Sequence, residues 1–133
     1  MVDDAKEAVL ALPADVSAPA RARQALVALA GDDAQLRDQL TLLTTELVTN
    51  SLRHGGLQPG DRIDLHAVRT GATVRVEVHD PGRSGREPRL RVDPRSLDGE
   101  GGFGLRLVEQ VADEWGAERV PGDGVRAWFE LRH

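Results

Sequence analysis

The chain has 133 residues, a formal net charge of −5, 40% hydrophobic residues and no cysteine. That length suits a single domain over residues 1–133 with its own apolar core, and the missing thiols exclude disulfide scaffolds, cysteine-ligated zinc and thiol nucleophiles. The acidic balance speaks against a nucleic-acid partner held by a general positive field, although a local basic patch can still bind an anion. No apolar run approaches the ~20 residues of a membrane span. The opening MVDDAKEAVLALPADV has two aspartates where a secretory leader carries positive charge. The expectation is therefore a cytoplasmic protein without a membrane partner. Sixteen arginines stand against the single Lys6, with one isoleucine (Ile63), no tyrosine and one asparagine, Asn50. That is the bias of a GC-rich coding sequence, and an asparagine that persists against it draws attention to its amide.

In chain order, EAVLALP (7–13) reads as a short edge strand stopped by Pro13. Ser17 and Pro19 open a helix that runs to about Gly31. Asp32 and Asp33 are candidate caps for a second helix, in which Leu36, Leu40, Leu43 and Leu47 recur at spacings of four, three and four, the mark of one buried stripe. Gly55 and Gly56 end it. RIDLHAV (62–68) and TVRVEVHD (73–80) alternate as strands of a hairpin turned by Thr70 and Gly71, with Val74, Val76 and Val78 on one side. From Pro81 to Asp98 three prolines and no periodicity predict a long loop. A helix is expected from about 102 to 113, with Phe103, Leu107 and Val111 on one face. GVRAWFEL (124–131) closes the chain as a last strand.

Three stretches carry chemistry. Continuing the leucine stripe lands on Asn50 and His54, with Glu46 one turn before Asn50 on the same side. Either this side of the helix turns to solvent at its end, where His54 favours the helix dipole, or it faces a pocket. In the second case a carboxylate and an amide one turn apart suit a hydrated magnesium ion and a phosphate chain, because magnesium takes hard oxygen ligands and keeps several waters. HDPG (79–82) puts the acceptor-only carboxylate of Asp80 at a strand end, before a proline and a glycine that allow a ligand close to the backbone. GEGGFGL (99–105) sets glycines ahead of a helix N-terminus, which attracts phosphate. Between the last two, Arg83, Arg86, Arg89, Arg91 and Arg95 outnumber Glu87, Asp93 and Asp98, giving a basic loop suited to covering a polyphosphate.

In order and spacing these elements resemble the GHKL, or Bergerat-fold, ATPases, the superfamily of gyrase, a heat-shock chaperone and the histidine kinases. ELVTN looks like the N box, DPG like the G1 box and GGFGL like the G2 box. Within the superfamily, TELVTNSLRH, LPAD (12–15), the segment 104–116 read as a helix, and WFEL (128–131) are similar to the stand-alone bacterial anti-sigma factor serine/threonine kinases. The resemblance implies an α/β fold, a two-layer sandwich with a mixed, mainly antiparallel sheet, helices on one face and an ATP lid at about 81–101. It implies Mg-ATP as cofactor, with Asn50 holding the magnesium ion, Glu46 as general base towards an acceptor hydroxyl, Asp80 accepting from the adenine amino group, and Gly82 letting the purine lie against the turn. Gly102 and Gly104 would belong to the hinge and phosphate-facing end of the lid, and His54 has no fixed family role. The implied partners are an anti-anti-sigma protein of the STAS type and a sigma factor, with a homodimer possible. A nucleotide-binding partner-switching module without kinase turnover keeps Asn50 and Asp80 but has no need of Glu46 as a base. A domain with the same fold that binds no nucleotide is the blandest reading. One departure concerns the last strand, where Val125, Arg126 and Ala127 replace the family's frequent lysine or threonine, which implies weaker adenine binding.

Overall fold

The computed structural model describes residues 5–83, 108–122 and 124–133. Its elements are β1 (Lys6–Pro13), α1 (Ala18–Ala30), α2 (Ala34–His54), β2 (Arg62–Arg69), β3 (Thr73–Asp80), β4 (Glu114–Val120) and β5 (Gly124–Arg132). The five strands form one sheet in the order β1-β2-β3-β5-β4. All four pairings are antiparallel, so the sheet, expected to be mainly antiparallel with some mixing, is antiparallel throughout among the described residues.

Alternation along the strands sorts the side chains onto two faces. Leu12, Ile63, Leu65, Ala67, Val74, Val76, Val78, Phe129 and Leu131 are buried on the inner face, against Leu26, Leu29, Leu36, Leu40, Leu43 and Leu47 of the two helices. At ~1.5–3 kcal/mol for each fully buried aliphatic or phenyl side chain, this one layer supplies most of the drive to fold. The outer face is polar. Glu77 accepts from Arg75 Nε at 3.0 Å and lies 3.2 Å from His79 Nε2, and the Arg75 guanidinium stands 4.2 Å from the centre of the Trp128 ring. Gly116 lies beneath that indole, since a Cβ there would sit 2.9 Å from Trp128 Nε1.

Local chemistry sets the helix ends. Ser17 is the N-cap residue of α1 but its side chain does not cap the helix; Asp15 organises the entry, accepting from the Ser17 backbone N–H at 2.8 Å. Hydrogen bonds from the Ser17 hydroxyl and backbone hold the Asp15 carboxyl below the usual carboxylate range. Of the two candidate caps for α2, Asp33 is the one used, its Oδ1 accepting from Leu36 N–H at 3.0 Å. The C-terminus of α1 is closed from the sheet: Arg69 donates to the carbonyls of Ala30 at 2.8 Å and Leu29 at 3.2 Å, a cation at the negative end of a helix. No helix among the described residues is long and apolar enough to cross a membrane.

The expected helix over 102–113 needs correction at its end. Positions 102–107 lie outside the described residues; among those described, helical structure covers 108–111, where Ala112 N–H still reaches Val108 O at 3.0 Å, and Asp113 N–H then turns to Glu130 O at 2.9 Å. Glu114, Trp115 and Gly116, read with the helix, instead begin β4, a strand that the sequence reading lacks. Trp115 prolongs the stride of Phe103, Leu107 and Val111 by another four residues, so periodicity alone carries the helix too far. It packs against the core beside Phe129, its partner across β4 and β5.

Candidate functional site

Helix α2 and strand β3 end side by side, and the candidate site is built where they do. Asp80 is the last residue of β3 and points to the inner face, only 6% exposed. A lone carboxylate there would be costly, and it is met by donors. Its Oδ1 accepts the Gly82 N–H at 2.7 Å, and the hydroxyl of Ser51, itself buried on α2, also hydrogen-bonds it. Burial still pushes the Asp80 carboxyl above the ordinary carboxylate range, partly offset by the Ser51 and Gly82 hydrogen bonds and by the charges of Arg119 and His79. The Ser51 bond ties the residue next to Asn50 directly to the strand end.

The turn after Asp80 requires glycine twice. Gly82 has φ +60, and a Cβ there would come within 3.0 Å of Val125 Cγ2 and 3.1 Å of Gly124 Cα. Gly124, at φ +91, faces it from the start of β5, and a Cβ on it would stand 2.0 Å from the carbonyl oxygen of Asp80. Backbone therefore lies against backbone at this corner, which leaves no room for a side chain at either position. Arg119 of β4 completes the corner by donating to the Gly82 carbonyl at 3.1 Å.

Glu46 and Asn50 lie on α2 one turn apart, both half-buried. Burial raises the Glu46 carboxyl, with the nearby charge of Arg53 pulling the other way. A carboxylate moved towards neutrality is better matched to taking a proton at physiological pH. Among the described residues no three His, Asp or Glu side chains converge as a metal cluster. An ion here would need one protein oxygen, such as that of Asn50, with waters and phosphate oxygens completing its shell. His54 is exposed in the last turn of α2. Arg83, first of the basic loop's arginines, forms a two-pronged pair with Asp61, at 2.7 and 2.8 Å, and so fastens the outgoing chain to the turn before β2. Gly102, Gly104 and positions 84–101 of the segment expected to form a lid (about 81–101) lie outside the described residues.

The structure thus brings the end of α2 to Asp80 and Gly82, and adds three residues that the sequence reading did not assign to the site: Ser51, Gly124 and Arg119. Ser51 adjoins Asn50 and Gly124 opens the last strand, but what each touches depends on the folded sheet. Arg119 belongs to β4, the strand that has no counterpart in the sequence reading. Two clefts among the described residues lie elsewhere. One of about 730 Å³ is bounded by Pro13, Arg21, Gly60 and Arg62, and one of about 470 Å³ lies between α1 and α2 beside Val27 and Thr41. Neither is lined by Glu46, Asn50 or Asp80; what marks the corner at Asp80 is a buried carboxylate held by a hydroxyl and a backbone amide, a preorganised acceptor.

Comparison with known families gives a match to the histidine kinase-like ATPase domain over residues 9–128. No curated protein matches the chain.

Proposed function

Because the chain belongs to the family of histidine kinase-like ATPase domains, a family that binds ATP, we propose that it is a Mg-ATP-dependent regulatory serine/threonine kinase of the anti-sigma type. In this reading it phosphorylates an anti-anti-sigma partner of the STAS type and, in its other state, sequesters a sigma factor. The observation that supports it best is the corner at Asp80. An ionised carboxylate, fixed by Ser51 and Gly82 beside two glycines packed backbone against backbone, accepts from an exocyclic amino group and repels a carbonyl. Adenine offers the first at the place where guanine offers the second, so such a corner selects between them by unfavourable as well as favourable contacts.

The parts divide the work. Asp80, Gly82 and Gly124 receive the base, and the Asn50 amide oxygen would hold a magnesium ion at the phosphates. Bound ATP supplies the phosphoryl group. Glu46, raised by burial, takes the proton of the acceptor hydroxyl, a contribution of ~10²–10⁴-fold in general and towards the lower end for phosphoryl transfer, in which positioning and electrostatics dominate.

A second reading, a nucleotide-dependent docking module without turnover, draws support from Arg83. This arginine is held by Asp61 and in that arrangement does not serve a phosphate. Incubation with Mg-ATP labelled at the γ-phosphate and candidate STAS-domain proteins separates the two. Label on a partner serine or threonine supports the kinase; ATP-dependent complex formation with no label on the cognate partner supports the docking module.

A further inference from the structure

One row of the sheet crosses three strands at the candidate site. Asp80 of β3 pairs with Val125 of β5, and Val125 pairs with Arg119 of β4. Arg119 shares the parity of Trp115 and Ala117, which pack against the core, so its side chain leaves the sheet on the same inner face as Asp80. It is half-buried there. The guanidinium passes over Val125 to the turn, where Nη1 donates to the Gly82 carbonyl at 3.1 Å and would lie 3.2 Å from a Cβ placed on Gly82. Its charge also acts on the Asp80 carboxylate. One side chain therefore braces the acceptor end of the turn whose amide end is held by Asp80 itself.

We propose that Arg119 is a positioning residue for base recognition, fixing the turn at the Gly82 carbonyl and balancing the buried charge of Asp80 so that the carboxylate discriminates adenine from guanine. The proposal rests on the reading of Asp80 as the base acceptor. Selection between the bases requires the ionised form, because a protonated carboxyl carries an O–H that can donate to a guanine carbonyl. Around Asp80, β4 contributes Arg119, β5 the uncharged Val125 and α2 the hydroxyl of Ser51; His79 acts on it from its own strand. A guanidinium holds an N–H at the carbonyl while keeping its charge at all accessible pH, which a shorter or neutral side chain does not do.

The test is calorimetric titration of the full chain with Mg-ATP and with Mg-GTP between pH 5 and 8, for the wild type, Arg119→Met and Arg119→Lys, with thermal melts as a check on folding. In Arg119→Met the acid limb of ATP binding should move up by about one pH unit or more. ATP affinity should fall about tenfold at the lower end of the range, and the ATP-to-GTP ratio should shrink. Arg119→Lys, which keeps the charge, should retain the wild-type pH profile. If Arg119→Met weakens both nucleotides equally, or neither, with the wild-type pH profile intact, Arg119 is only a structural brace and the proposal is overturned. A wild type that binds ATP and GTP alike overturns the Asp80 reading itself, an outcome distinct from a discriminating wild type with an indifferent Arg119→Met.

Discussion

Replacing Gly124 by alanine should disturb the candidate site more than any other single methyl group. Two costs combine. The first is conformational, since φ +91 is a backbone that an L side chain rarely adopts, at ~1–2 kcal/mol. The second is steric, because the added Cβ would lie 2.0 Å from the Asp80 carbonyl oxygen, 2.6 Å from Pro81 C and 2.8 Å from Pro81 Cα. All three are backbone atoms, so no rotamer change relieves the clash and the β3 turn must move by roughly an ångström. Overpacking that forces such shifts costs ~1–3 kcal/mol. Gly60 provides the control: at φ +92, a Cβ there would meet nothing within 4 Å, so Gly60→Ala carries the conformational cost alone. Urea unfolding should place Gly60→Ala ~1–2 kcal/mol below the wild type and Gly124→Ala a further ~1–3 kcal/mol below that. The latter should also lose ATP affinity, because the moved turn carries Asp80 and Gly82. Equal destabilisation by the two substitutions, with nucleotide binding intact in Gly124→Ala, would refute the backbone-on-backbone corner.

Three further outcomes follow from the same geometry. Asn50→Ala should weaken magnesium-dependent ATP binding and phosphorylation together, whereas Glu46→Gln should leave ATP affinity near the wild-type value and slow labelling of a partner by ~10²-fold, read as initial rates under saturating ATP. Asp80→Asn should unfold at the same or a higher temperature than the wild type at neutral pH. Burial raises the Asp80 carboxyl, so its stabilising contribution is complete below the unfolded value near ~3.9 and is lost as pH rises through the folded one. The melting-temperature difference between variant and wild type should therefore grow in favour of Asp80→Asn from acid to neutral pH; a difference that is constant or moves the other way contradicts this. Arg69→Met should cost ~1–2 kcal/mol in chemical denaturation by uncapping the Leu29 and Ala30 carbonyls at the end of α1, and an unchanged midpoint would show that water replaces the guanidinium without loss.

Much of this architecture is legible in the sequence where one local signal decides it. The leucine stride defines α2, the strict alternation of Val74, Val76 and Val78 defines β3, and both rest on periodicities that burial enforces. Asp80 and Gly82 are legible for a related reason: a carboxylate, a proline and a glycine in succession specify a turn and its acceptor without help from the rest of the chain. Where distant segments decide, the sequence misleads or is silent. Trp115 keeps step with a helix that has already ended, because the bond from Asp113 to Glu130 that starts β4 is not a local event. Ser51 looks like any helical serine until β3 brings Asp80 to it. Arg119 reads as one arginine among sixteen until register with Val125 sets it beside the turn. The choice of Asp33 over Asp32 as cap turns on φ and ψ at one residue, which neighbouring aspartates do not reveal.

A base-selective nucleotide site centred on Asp80 stands or falls on titration of the wild type and Asp80→Asn with ATP and GTP, each with and without magnesium. The wild type should bind ATP well ahead of GTP, magnesium should tighten ATP binding, and Asp80→Asn should lose the ~1–3 kcal/mol of a charge-assisted hydrogen bond towards ATP while remaining folded. Equal affinity of the wild type for ATP and GTP, or an ATP affinity that Asp80→Asn leaves unchanged, would contradict it.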